Sequence, residues 1–142
     1  MDAEPGRVMA IDYGEKRIGL ALSDPTRTIA SPLGHIERRL GKRPPIAELV
    51  RRAKEHAVTA FVMGLPLDSD GRDTPRAAEA RAVAAELARR TGLPVEMVDE
   101  RYTTAAALRT VQAMGGSTRG RRGDVDALAA AILLQHALRS RA

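Results

Sequence analysis

The sequence predicts an α/β protein built on a mixed five-stranded sheet, with elements in the order β-β-β-α-β-α-β-α-α and helices on both faces. Three observations lead there. Two short apolar runs, Arg7–Asp12 and Ile18–Ser23, are separated only by Tyr13-Gly14-Glu15-Lys16-Arg17, the pattern of a β-hairpin. Two later apolar runs, Thr59–Gly64 and Pro94–Asp99, each follow a stretch with helical spacing, so each returns to the sheet parallel to the first strand. Proline, glycine and threonine stand where helices should start and stop.

Taken in order, the third extended stretch, Ile29–Ile36, contains Pro32, which has no amide hydrogen to give to a ladder and so suits a sheet edge. After Pro44 and Pro45, the residues Ile46, Leu49, Val50, Ala53 and Ala57 recur at helical intervals. The continuous run from Thr59 to Gly64 fits a strand covered on both faces. Thr74 then offers a side-chain cap, Pro75 fills the first helical position, and Ala80, Val83, Ala84 and Leu87 form a stripe that ends at Gly92. A strand from Pro94 to Asp99 precedes a helix expected over Thr104–Met114. A last helix is marked by Val125, Leu128, Ala129, Ile132 and Leu133, and Gly115–Gly123 forms the basic loop between the two.

Composition bounds the function. A chain of 142 residues has the length of one domain, and neither a repeat nor a linker divides residues 1–142. Cysteine is absent, so disulfides and thiolate metal sites are excluded and any metal must be held by oxygen or imidazole. The opening MDAEPGR lacks the basic and apolar regions of a signal peptide, and no apolar run reaches membrane-spanning length. A cytoplasmic protein without a membrane partner is expected. The net charge of +5 suits a polyanion partner, but only Lys16, Lys42 and Lys54 among the 23 basic residues are lysine, so an arginine- and alanine-rich composition explains part of it equally well.

Ligands of open α/β sheets bind beyond the carboxyl ends of the parallel strands. Asp12 closes the first strand, Asp99 and Glu100 close the last, and Asp126 lies near the start of the final helix. The segments around them occur as ordered blocks: Ile11-Asp12-Tyr13-Gly14 with Lys16-Arg17-Ile18-Gly19-Leu20-Ala21; Gly64-Leu65-Pro66-Leu67 with Asp70-Gly71; Asp99-Glu100-Arg101-Tyr102-Thr103-Thr104; and Val125-Asp126-Ala127-Leu128-Ala129-Ala130. In content and order they resemble the motifs of the YqgF family of pre-16S rRNA nucleases and resolvase relatives, across nearly the whole chain. The resemblance implies a ribonuclease H-like fold and a metal-dependent nuclease that processes the 5′ end of pre-16S rRNA, with a Holliday junction endonuclease as the alternative.

The chemistry of such an enzyme needs clustered carboxylates to hold two divalent ions, and hard oxygen ligands suit Mg²⁺ or Mn²⁺. By the resemblance, Asp12, Glu100 and Asp126 are the catalytic and metal-holding residues. Neighbouring residues of a strand face opposite ways, so only one of Asp99 and Glu100 can reach the site while the backbone stays extended. Glu100 is favoured, because Asp99 shares a face with Val95 and Met97. The expected nucleic-acid contacts are Lys16, Arg17, Arg101, Thr103 and Thr104 in the motifs, and Arg119, Arg121 and Arg122 in the basic loop. Plainer roles exist for several: a strand-closing acid forms turns, acids near a helix start complement its dipole, Arg101 can pair with a nearby carboxylate, and Thr103 or Thr104 can cap a helix.

The remaining residues add little chemistry. His35, His56 and His136 lack a zinc-binding spacing and read as structural or surface groups, and the five methionines read as core filler. With only Tyr13, Phe61 and Tyr102 as aromatics, a base-stacking platform would have little to work with; Tyr13 and Tyr102 flank the motifs and suit either stacking or packing. An ATP phosphotransferase shares the D-x-G turn but closes two domains on its nucleotide, which 142 residues do not supply. A catalytically silent RNA-binding module of ribosome assembly is the reading from another class. The expected partner is structured RNA or a four-way DNA junction, bound by a monomer or a homodimer.

Overall fold

The computed structural model describes residues 5–38, 43–104 and 122–140. Strands β1 (Arg7–Tyr13), β2 (Arg17–Ser23) and β3 (Ala30–Glu37) precede helix α1 (Ile46–Glu55), strand β4 (Val58–Leu65), helix α2 (Pro75–Thr91), strand β5 (Val95–Asp99), a 3₁₀ turn (Glu100–Tyr102) and helix α3 (Arg122–Ser140). The strands form one sheet in the order β3-β2-β1-β4-β5. The β1–β2 and β2–β3 pairs are antiparallel, whereas β4 runs parallel to β1 and β5, as the hairpin and helical crossovers require. β3 lies at the edge, and its pairing with β2 skips Leu33 next to Pro32, a bulge at the residue that has no amide hydrogen.

Each face of the sheet has its own core. Met9, Ile11 and Tyr13 of β1 join Phe61 and Met63 of β4 under α1 and α2, which contribute Leu49, Ala53, Ala80, Val83 and Leu87. The alternate residues Val8, Ala10, Ala60 and Val62 face the other way and pack against Ala130, Leu133, Leu134, Ala137 and Leu138 of α3. Helix α2 begins with the Thr74 hydroxyl accepting from the Ala77 amide at 3.1 Å and ends at Gly92 in a left-handed conformation.

Two expectations about helices change. Ala57 is not a core residue of α1, because the helix ends at Glu55 and Ala57 takes φ +52, turning the chain directly into β4. In α3 the stripe holds only in part: Ala129 and Leu133 are buried in the core, Val125 and Ile132 are half-buried and Leu128 is 45% exposed, while Ala130, Leu134 and Ala137 also meet the sheet. This helix is rich in alanine and leucine all round, so apolar spacing does not select a face; close approach to the sheet favours the small residues. The helix also starts at Arg122, inside the stretch read as loop. Of the helix expected over Thr104–Met114 only Thr104 is described, and Gly115–Arg121 lies outside the described residues.

Candidate active site

Strand alternation decides where the first acid points. Val8 and Ala10 face α3, so Asp12, the next residue in that series, also falls on the α3 face, and it is buried there. The same parity puts Val98 of β5 toward α3, while Val95 and Met97 face the opposite core. After Asp99 the chain turns into the 3₁₀ helix, and Glu100 folds onto the α3 side against Gly64. Asp126 sits near the start of α3, above β2. Among the described residues four polar or charged side chains are buried, and Asp12, Glu100 and Asp126 are three of them; Ser23 is the fourth.

Two glycines make room for this arrangement. Gly19 is the cross-strand partner of Asp12, and a Cβ there would stand 2.0 Å from the Asp126 carbonyl oxygen. Gly64 follows Met63, the last β4 residue paired with β1, and a Cβ there would stand 2.2 Å from Glu100 Oε1. Any side chain at either position would displace α3 or the Glu100 carboxylate. The motif blocks contain both glycines, but their neighbours in space were not readable from spacing.

The titrations of the adjacent acids Asp99 and Glu100 are shifted in opposite directions. Asp99 accepts from Arg101 Nη2 at 2.7 Å and from the Arg101 amide at 3.0 Å, and the guanidinium holds its carboxyl below the usual carboxylate range. Burial pushes Glu100 up to about 7, with Arg76 drawing it down and Asp99 adding to the rise. The choice between them was framed for an extended backbone, but the strand ends at Asp99, which caps a 3₁₀ turn beginning at Glu100.

The expected nucleic-acid contacts have varied placements. Arg17 Nε donates to Asp126 Oδ2 at 2.7 Å. Arg101 holds Asp99 and reaches the Ser69 carbonyl at 3.3 Å, bracing the loop after β4. Thr103 donates from its hydroxyl to the Glu100 carbonyl at 3.1 Å, Lys16 and Thr104 are exposed, and Arg119 and Arg121 lie outside the described residues, as does the side chain of Arg122. Tyr13 is fully buried, which excludes stacking on a base: its hydroxyl bonds Glu79, and the Arg38 guanidinium lies 4.6 Å from its ring centre. Next to this network a cavity of about 500 Å³ is lined by Glu15, Arg38, Pro66, Thr74, Arg76 and Glu79, and among the described residues none of the expected site residues lines it.

Three buried carboxylates on one face and at one end of a sheet suit a hard divalent cation, which would relieve the cost of ionising Glu100 in a buried setting. Among the described residues, however, no three carboxylate or imidazole groups stand close enough together to hold an ion as they are, and Asp126 is committed to Arg17.

Comparison with known proteins places the chain. The profile of the family described as "RuvX: Holliday junction resolvase" matches residues 6–140, and the chain belongs to this family. It is 43% identical over 140 residues to a "Putative pre-16S rRNA nuclease" of Roseiflexus sp. (strain RS-1), covering 99% of both chains. A protein of the same description from Anaeromyxobacter sp. (strain Fw109-5) is 43% identical over 129 residues, 91% of this chain and 93% of the relative. Among solved structures, Thermus thermophilus RuvC superposes with a TM-score of 0.59 at 17% identity, covering 95% of each chain; a second structure, described as "T. thermophilus RuvC in complex with Holliday junction substrate", gives the same score over 95% of this chain and 94% of that one. At that identity the likeness speaks for the ribonuclease H-like fold alone.

Proposed function

We propose that the chain is a nuclease that hydrolyses phosphodiester bonds in the 5′ leader of pre-16S rRNA, with Asp12, Glu100 and Asp126 as its catalytic acids. The observation that carries this reading is the burial of these three carboxylates on one face, at the carboxyl end of the parallel strands. The names of the full-length relatives support the substrate. In the reading, Asp12, Glu100 and Asp126 would together hold two divalent ions, Mg²⁺ or Mn²⁺. When bound, the ions would activate the attacking water and stabilise the leaving oxygen.

The chain's own residues do the rest. Gly19 and Gly64 keep the floor of the site open, Arg101 fixes Asp99 away from it, and the tether from Thr103 to the Glu100 carbonyl steadies the 3₁₀ turn. Asp12 is paired with Gly19 of β2, one residue beyond the last β1–β4 pair, Ile11 with Met63. No helix among the described residues is long and apolar enough to cross a membrane.

Cleavage of a four-way DNA junction is the second reading, favoured by the family description. Discrimination would come from contacts to the 2′-hydroxyl and from junction shape. Purified protein with Mn²⁺ should cut a 5′-extended 16S rRNA fragment faster than a synthetic junction of equal concentration. Symmetric cuts in the junction by a dimer, with the rRNA untouched, would reverse the assignment; cleavage of neither would favour a silent RNA-binding module.

A further inference from the structure

Asp126 and Arg17 are 109 positions apart in the chain, and their side chains meet at 2.7 Å while only 11% and 17% exposed. Arg17 opens β2, two residues before Gly19, on the face where the first turns of α3 rest against the sheet. The ion pair therefore ties α3 to β2 at the mouth of the acid site. Its chemistry is well matched to the metal-free state. A buried carboxylate is costly to ionise, and a guanidinium offers both opposite charge and a directed hydrogen bond.

The same pair conflicts with metal binding. An oxygen engaged by Arg17 is a poorer ligand, and a divalent cation at Asp126 would stand against a fixed positive charge. We infer that Arg17 is a built-in counter-ion for Asp126, which a divalent ion must displace, so that loading of the site is coupled to breaking the Arg17–Asp126 pair. This rests on the reading of Asp126 as a metal ligand. Glu37, the cross-strand partner of Arg17 on the same face, is exposed and is the nearest acid in register to receive the released guanidinium.

Coupling of this kind is reciprocal: what metal does to the pair, the pair does to metal affinity. Calorimetric titration should show Arg17→Gln binding Mn²⁺ about tenfold more tightly than the parent, a factor within the usual range for coupled sites, with Arg17→Lys close to the parent. In chelator, Arg17→Gln should melt below the parent, and saturating Mn²⁺ should raise its melting temperature by more. The unmodified protein gives an independent readout, since the Arg17 Nε–H resonance should shift as Mg²⁺ is added and the hydrogen bond is lost. Equal or weaker Mn²⁺ affinity in a folded Arg17→Gln, or an Arg17 resonance unmoved at saturating Mg²⁺, would overturn the inference while leaving the metal-binding reading in place. Failure of both parent and variant to bind Mn²⁺ would overturn the two together.

Discussion

Replacing Glu100 with glutamine removes a charge that the fold buries while keeping the shape of the side chain. In the folded protein the Glu100 carboxyl titrates at about 7, against an ordinary value of 4.5, so the folded state holds its proton more tightly than the unfolded chain. Its contribution is nil below pH 4.5, where both states are protonated. Stability then falls as pH rises from 4.5 to 7, and above 7 the full cost of burying the anion is present. At 1.36 kcal/mol per unit, that cost is about 3 kcal/mol. In chelator at pH 8, Glu100→Gln should therefore be more stable than the parent by about 3 kcal/mol, a rise in melting temperature of about 10 °C for a chain of this size. At pH 4 the two should melt together. Thermal denaturation across this pH range, repeated with Mn²⁺, is the assay; Mn²⁺ should narrow the gap at pH 8 by stabilising the parent. A variant less stable than the parent at pH 8 without metal, or a difference independent of pH, would refute the reasoning.

Further outcomes follow from the same geometry. Gly64→Ala puts a methyl 2.2 Å from Glu100 Oε1, so the flexible carboxylate yields rather than the fold: cleavage should fall about 100-fold for a stability loss of about 1–3 kcal/mol by urea titration. Thr74→Ala loses both the cap on the Ala77 amide and the 2.7 Å bond to the Pro66 carbonyl, and should cost about 1–2 kcal/mol in the same titration. Alanine at Arg119, Arg121 and Arg122 together should flatten the salt dependence of nucleic-acid binding, by up to about 0.9 logarithmic units per phosphate contact on duplex DNA. An unchanged slope would remove these arginines from the interface.

What the sequence made legible was local. Pro32 marked an edge strand, Thr74 and Gly92 bounded α2, and an acid closing an apolar run placed Asp12 at a strand end, because each signal rests on the chemistry of one residue and its neighbours. Strand parity carried further, since period-two alternation distinguishes the face of Asp12 from that of Met9 and Ile11. The phase of α3 was legible only in part: Ala129 and Leu133 fell in the core but Leu128 did not, because alanine and leucine surround that helix. Nor were the partners of Arg17 and Arg101: an arginine's reach is long, and whether it meets a phosphate or a carboxylate depends on contacts between segments as far apart as residues 17 and 126. The preference for Glu100 over Asp99 rested on strand parity, but the chain bends after Asp99, and it is the turn together with Gly64 that seats Glu100.

The central claim is that the buried acids cleave nucleic acid with divalent ions, and Asp12→Asn tests it most directly. The substitution keeps the shape of the side chain and removes a buried negative charge, so the fold should survive and the metal-free protein should melt no lower than the parent. Cleavage of a 5′-labelled precursor 16S rRNA fragment should be measured for both proteins over a Mn²⁺ titration. The parent should cut only with the ion present and Asp12→Asn should leave the fragment intact at every concentration, whereas cleavage by a folded Asp12→Asn at the parental rate, or by the parent in chelator, would contradict the account.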